Sequence, residues 1–473
     1  MTEKHPVIIG DELRTTAKEL PVINPFDNSI AGVTYLCGTT ELNHALSAAT
    51  AAFDKLKKYS SYQRADILQR CVDGIKKRSE ELARTIALEA GKPIKDARSE
   101  VARATNTFQI ALEESKRLGG EVMPLDISHG AEGRFAIIRR FPIGVVLGIT
   151  PFNFPLNLVA HKIAPAMACG SPIIIKPASK TPLTALALGE IILDSGYAKG
   201  GVSIVPSAAG DVEKLLEDAR IKKLTFTGSP AVGWRLKSKA INKRVTLELG
   251  GNAGVIIHED ADLDYAAKQC AKGAFSYAGQ VCISVQRVYA HKNIFNEFKK
   301  KFLKLASALK LGNPLDESTD IGPMIDTASV EKTEAWVNEA IKGGAKLLTG
   351  GKRRGPCFEP TVLTNTTSSM KVCSEEIFGP VVALESYENF EDALKQINQG
   401  RFGLQAGLFT KDMGRILLAY ETLEVGGVIA NDVPTFRMDN MPYGGIKESG
   451  FGREGVRYAI EEMTELKLLA IKA

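Results

Sequence analysis

The sequence predicts an α/β protein: a Rossmann-like parallel-sheet unit, a second α/β unit and a small separate β element. Three observations carry that prediction. From Ile143 onward, near-continuous apolar runs (Gly144 to Ile149, Pro172 to Lys176, Val202 to Val205, Lys223 to Phe226 and Val245 to Glu248) alternate with helical segments, the pattern of a parallel sheet covered on both faces. The alternation resumes from about residue 253 to 430, with strand-like runs at Ala253 to Ile257, Ser284 to Ala290, Pro380 to Leu384, Ala406 to Phe409 and Gly427 to Ala430. Apart from both, two alternating stretches between Gly119 and Phe141 flank His129-Gly130-Ala131-Glu132-Gly133 as a hairpin, and the chain closes on an alternating apolar run, Leu466 to Ile471.

Length and composition agree with this reading. A chain of 473 residues exceeds one ordinary core, and about 150 residues per domain gives two or three. With 44% hydrophobic and 24% charged residues it is not disordered. The net charge of +5, from 60 basic and 55 acidic residues, asks for no nucleic-acid partner. The densest basic run, Lys299 to Lys301, shares a segment with Ile294, Phe298, Phe302, Leu305 and Leu309 at helical spacing, so it reads as a solvated helix face. The seven cysteines are odd in number and scattered, with no C-x-x-C pair and no histidine cluster at metal spacing, which argues against a disulfide framework or a metal site. The N-terminus lacks the apolar core of a secretory signal. No run of about 18 apolar residues is present; Gly144 to Ala160 is broken by Pro151, Asn153, Pro155 and Asn157. The expectation is a cytoplasmic protein with reduced thiols and no membrane contact.

In chain order, V-I-N-P-F-D-N-S is a turn-rich stretch, and the segments Leu42 to Lys58 and Tyr62 to Glu89 carry apolar residues at helical intervals. In Ala90-Gly91-Lys92-Pro93 the glycine can end one helix and the proline open the next. Ligands on parallel sheets bind at the C-terminal strand ends. There the first sheet carries Thr150-Pro151-Phe152-Asn153-Phe154-Pro155, Lys176-Pro177-Ala178-Ser179, Thr227-Gly228-Ser229 and Glu248-Leu249-Gly250-Gly251. The exposed edge of the last strand needs another chain or domain to pair with it. Gly450-Phe451-Gly452-Arg453-Glu454-Gly455 fits G-x-G-x-x-G, but no strand precedes it and too little chain follows for a βαβ unit, so it reads as a turn and a helix start.

The stretch G-Q-V-C-I-S-V-Q-R places Cys282 at a loop-to-strand junction, where a thiol can meet a substrate. Most cysteines simply fill a core; the company at the strand ends argues otherwise here. Glu248 offers a carboxylate, Asn153 an amide donor and Lys176 an amine, while Gly228-Ser229 starts a helix and makes either an N-cap or an anion site. Asn153 could also serve only its turn, and Glu248 only an ion pair.

The segments I-T-P-F-N-F-P, I-I-I-K-P-A-S, F-T-G-S-x-x-V-G, L-E-L-G-G, G-Q-V-C, E-E-I-F-G-P and P-Y-G-G-I-K-E-S-G-F-G-R-E resemble, in order, the signature segments of the NAD(P)-dependent aldehyde dehydrogenase superfamily, from about residue 20 to the C-terminus. The resemblance implies a parallel-sheet cofactor domain (1–118 and 142–249), a catalytic domain (250–430), an oligomerisation element (119–141 and 456–473) and a loop segment facing substrate and cofactor (431–455). It implies a homodimer or homotetramer, and the exposed apolar edge of Leu466 to Ile471 leads to the expectation that this strand and the 119–141 hairpin pair across a subunit boundary. It assigns Cys282 as nucleophile, Glu248 as base toward water and Asn153 as oxyanion donor, with Lys176 among the catalytic group. For NAD(P) it implies Lys176 and Ser179 at the adenosine ribose, Ser229 at the pyrophosphate, and Glu376 with Phe378 at the nicotinamide ribose. Further cofactor contacts are implied at Thr150, Pro151, Phe152, Ala178 and Gly210, at Phe226, Thr227, Gly228 and Val232, and at Leu249 and Gly250.

Two departures narrow the expectation. Ser179 stands where many NAD-preferring relatives carry a glutamate, and Lys180 follows it, which suits the 2′-phosphate of NADP. L-E-L-G-G-N in place of L-E-L-G-G-K is similar to the succinate-semialdehyde, lactaldehyde and phosphonoacetaldehyde branches, which take short polar or anionic aldehydes; Val281, where phosphonoacetaldehyde enzymes use arginine, speaks against the phosphonate. The competing readings are an acyl-CoA-forming or structural member of the fold, expected to lose Glu248 or Cys282, and a cysteine hydrolase, which wants a histidine partner; only His161 lies near a motif.

Overall fold

A computed structural model describes residues 3–473, and both expected sheets form in it. The first has eight strands in the order Glu12–Arg14, Val7–Ile9, Val202–Ile204, Ile173–Lys176, Val145–Ile149, Ile221–Thr227, Arg244–Glu248 and Gly450–Phe451. The five expected strands make its parallel centre. From Val145–Ile149 the chain steps outward twice, then returns to the opposite side for Ile221–Thr227. Between those two strand ends lies the switch point where a crevice opens. Ile173, Ile174 and Ile175 are fully buried, consistent with cover on both faces; each such side chain contributes about 1.5–3 kcal/mol.

The antiparallel edges were not expected. Val7–Ile9 pairs with Val202–Ile204 and with Glu12–Arg14. Gly450–Phe451 pairs with Leu247 and Glu248, so the stretch read as a turn and a helix start also holds an edge strand, too short to show a period. Helix Val456–Glu462 follows it.

The second sheet runs Lys346–Thr349, Thr361–Thr364, Val381–Tyr387, Val285–His291, Ala253–Ile257, Gln405–Phe409 and Gly427–Ala430, parallel except at the first pair. The segment Tyr62 to Glu89 is two helices, Ser61–Lys77 and Ser79–Ala90. They break at Arg78, whose guanidinium reaches Glu81 and, at 3.0 Å, Glu190 of a neighbouring helix. Gly91 ends the second helix in the left-handed region (φ 68°) and Pro93 precedes the next, Ile94–Arg117. No helix is long and apolar enough to cross a membrane among the described residues.

The last strand, Thr464–Lys472, pairs along its length with Arg134–Pro142, which pairs with Gly120–Pro124. This corrects the expected pairing across a subunit boundary: the strand finds its partner within its own chain, because the turn after helix Val456–Glu462 is tied to the start of the first sheet by Ile143 N–H donating to Met463 O at 3.1 Å. Its outer edge stays open, and Leu466, Leu468 and Leu469 are half exposed or more.

Candidate active site

Three sequence motifs meet around Cys282 because glycines let their backbones touch. A side chain on Gly251 would collide with the Cys282 carbonyl oxygen, and one on Gly250 with the Glu376 carboxylate. Gly251 N–H donates to Glu376 Oε1 at 3.0 Å. Gln280 of G-Q-V-C is fully buried: its side-chain oxygen accepts from Ile325 N–H at 2.8 Å and its carbonyl from Asn153 Nδ2 at 2.9 Å. Asn252, the departure in L-E-L-G-G-N, donates to the carbonyls of Cys373 and Glu375 and accepts from Arg287 Nε at 2.7 Å. It holds the loop that carries Glu376 and does not line the cavity.

That cavity has a volume of about 680 Å³, and Asn153, Glu248, Val281, Cys282, Glu376, Phe378 and Tyr443 line it. Cys282 Sγ lies 3.3 Å from Tyr443 Oη, its one side-chain hydrogen-bond partner. Burial pushes the thiol up to about 11, against the opposing pull of the Tyr443 hydroxyl and the Arg437 cation. Glu248 is buried and neither carboxylate oxygen has a hydrogen-bond partner. Burial first, then the charge of Glu454, raise it well above the usual carboxylate range, and Arg437 and Lys162 only partly oppose them. Glu376 is lifted by burial to about 7.

Behind these groups stands a buried ionic cluster that the sequence reading missed. Helix Asn157–Cys169 is buried on every side, yet it presents His161 and Lys162 inward. Lys162 Nζ donates to Glu454 at 2.8 Å, Thr227 at 2.8 Å and Thr225 at 3.2 Å. Burial would raise Glu454, but Lys162 and Arg437 outweigh it and hold the carboxyl at about 2. Arg437 stacks on the Tyr443 ring, 3.6 Å from its centroid, and pairs with Glu454 at 3.3 Å. Asp439 accepts from Arg103 at 2.8 Å and bonds His161 Nε2 at 2.9 Å. His161 thus faces Asp439 and not the thiol, which removes the histidine partner a cysteine hydrolase would want. The available signal was the run of charges in Arg437, Asp439 and Glu454 within a glycine-rich segment otherwise read as loop.

A second cavity of about 360 Å³ adjoins the first, sharing Pro151, Phe152, Thr227, Gly228 and Ser229 with it. Thr150, Lys176, Ala178, Ser179, Phe226 and Val232 line it as well. Ser229 caps helix Pro230–Lys239 without a side-chain cap bond, so hydroxyl and first-turn N–H groups are open to an anion. Leu249, Gly250, Glu376 and Phe378 line the first cavity instead.

Three expectations need correction. Lys176 lies in the second cavity, away from Cys282, because it ends the strand on the far side of Val145–Ile149 from the nucleophile loop. Gly210 is the second residue of helix Ala209–Glu217 and is not a lining residue; Ala209 and Val212 on either side of it are. Lys180 is not a free cation, since Asp326 pairs with it. Glu213 adds a carboxylate to the same cavity, neutralised by Arg235 at 2.6 Å and Lys239 at 2.8 Å.

Residues 13–469 match the aldehyde dehydrogenase family. The chain is similar to the 3-sulfolactaldehyde dehydrogenase of Priestia megaterium, 44% identical over 99% of this chain and 98% of that one. Among solved structures, aldehyde dehydrogenase 21 from Physcomitrella patens, in complex with the reaction product succinate, superimposes with a TM-score of 0.98 at 44% identity over 100% of this chain and 99% of that one. Glyceraldehyde-3-phosphate dehydrogenase GapN from Methanocaldococcus jannaschii, complexed with NADP, gives 0.93 at 40% identity over 97% and 100%. The chain belongs to the aldehyde dehydrogenase family. It is an NAD(P)-dependent oxidoreductase of the aldehyde group.

Proposed function

We propose that this enzyme oxidises a short aldehyde bearing a carboxylate or sulfonate to the corresponding acid and accepts NADP at least as well as NAD. The observation that carries the reading is a thiol, Cys282, sharing one cavity with a carboxylate, Glu248, that no protein group engages. Cys282, as thiolate, attacks the aldehyde carbon. Asn153 Nδ2 has one hydrogen on Gln280, so the other is free for the developing oxyanion, and the Cys282 N–H has no protein acceptor among the described residues. The nicotinamide, when bound, supplies the hydride acceptor. Glu248 then takes a proton from the water that hydrolyses the thioester on Cys282.

For the anionic end of the substrate, two arginines line the cavity, Arg437 one ring from the thiol and Arg103 beyond it, both tied to the His161–Asp439 pair. The relatives named for sulfolactaldehyde and solved with succinate are consistent with an acid group at that end. For the cofactor, Ser179 brings no carboxylate to the second cavity, the one that does line it, Glu213, is paired with Arg235 and Lys239, and Lys176 is the lining cation without an ion-pair partner among the described residues. One partly exposed charge pair near 4 Å is worth at most about 4 kcal/mol before screening, so a modest preference is expected. Half-exposed leucines on the open last strand support a homo-oligomer, and the free state of all seven cysteines suits a cytoplasmic setting.

The test compares kcat/KM for sulfonated, carboxylated and uncharged short aldehydes with each cofactor. Wild type favours the acids, and Arg437→Gln loses about 10–100-fold more on them than on the uncharged aldehyde, as expected for one charge-assisted hydrogen bond. An unchanged ratio sinks the anionic reading. A more than tenfold wild-type preference for NAD, or no move toward NAD in Ser179→Glu, sinks the NADP reading.

A further inference from the structure

We infer that a third cavity, between the start of helix Ser61–Lys77 and the strand Arg134–Pro142, is a second ligand site, for a compact oxyanion carrying two or more negative charges. The cavity measures about 560 Å³, within the ordinary range for small-ligand sites. It does not extend the catalytic cavity. Helix Asn157–Cys169 separates them: Asn157 lines one and Cys169 the other, a separation of about 20 Å at 1.5 Å per residue.

Its charges are unbalanced. Arg64 donates to the Tyr59 carbonyl at 2.6 Å and to Ser61 Oγ at 3.3 Å, and its buried Nε has no partner. Arg140 donates to Thr464 Oγ1 at 3.3 Å. The pleat places Arg140 on the same face as Ile138 and Glu121, while Arg139 points to the other face, stacked on Phe141. Lys58 is exposed at the rim. None of Arg64, Arg140 and Lys58 has a carboxylate within 4.0 Å among the described residues, whereas nearby Lys57 has Asp54 at 2.5 Å. Glu121 is the one carboxylate lining the cavity. Five cations line the cavity. Lys57 is answered by Asp54 and Arg139 turns to the other face of its strand, which leaves three cations against one anion. With a guanidinium nitrogen desolvated and unbonded, this is a costly arrangement without a counter-charge, and two planar guanidinium forks suit the oxygens of a phosphate or carboxylate.

Phosphate and carboxylate compounds share this chemistry, so the test uses one probe of each. Inorganic pyrophosphate and citrate are titrated calorimetrically into the intact enzyme with NADP kept saturating, which keeps the anion site at Ser229 occupied. At least one probe binds once per chain, and the affinity falls tenfold or more in Arg140→Gln and in Lys58→Gln but not in Lys304→Gln, on an exposed helix face elsewhere. Binding by pyrophosphate alone assigns a phosphorylated ligand, by citrate alone a polycarboxylate, and by both a site that reads charge. Arg64→Gln is secondary, since that side chain also holds its helix start. No heat from either probe, unchanged affinity in both Arg140→Gln and Lys58→Gln, or an equal loss in Lys304→Gln overturns the inference.

Discussion

The two parallel sheets are built alike and used in opposite ways. The first presents Asn153, Gly228, Ser229 and Glu248 from the C-terminal ends of its strands, the expected side for ligands. The second supplies Cys282, Glu376 and Phe378 from segments just before strands Val285–His291 and Val381–Tyr387, at the N-terminal ends. Its C-terminal ends are closed by packed side chains instead: His258, His291 and Tyr387 form an aromatic group with His258 Nδ1 at 2.8 Å from the Tyr387 hydroxyl. One sheet therefore brings Glu248 and the helix start at Ser229 to the cavity, and the other brings Cys282 to it; in the proposed mechanism these are the base, the cofactor side and the nucleophile. The candidate site lies at the seam between them.

The largest expected effect removes the second sheet's contribution. Cys282→Ala reduces turnover to background while cofactor binding persists; more than a few per cent of wild-type turnover would break the division of labour. A smaller effect sharpens it. Tyr443→Phe deletes the one side-chain hydrogen bond to the thiol, worth about 0.5–1.5 kcal/mol, so turnover falls a few-fold to about tenfold. Because that hydroxyl lowers the thiol while burial raises it to about 11, the pH profile of Cys282 alkylation shifts upward in the variant. An unmoved profile would mean that the hydroxyl does not bear on the nucleophile.

The sequence made the sheets legible because period and length survive in buried strands: Val145–Ile149 and Ala253–Ile257 differ from their expected runs by a residue or less. It made Cys282 and Glu248 legible because each lies beside glycines whose missing side chains the packing requires. What escaped it depends on contacts between distant segments. Tyr443 is 161 residues from Cys282 and Glu454 is 292 from Lys162, and no local pattern records such pairs. Lys180 looked like a free cation for the same reason, since its partner Asp326 lies 146 residues away. The break at Arg78 was invisible because the helices on either side bury faces in one core, so the apolar spacing runs on through the kink.

The central claim is that Glu248 acts on water after the thioester has formed, and a pre-steady-state burst measures this most directly. Glu248→Gln lowers steady-state turnover by about 10²–10⁴-fold, the usual worth of a positioned base, yet the first turnover still releases one equivalent of reduced cofactor per active site. In wild type, steady-state turnover rises with pH through a range above that of ordinary carboxylates, since burial and Glu454 hold Glu248 protonated at lower pH and only its ionised form accepts a proton; the variant loses that limb. A burst that disappears along with turnover, or an acid limb that survives in Glu248→Gln, would contradict the account and place Glu248 before hydride transfer or outside the chemistry.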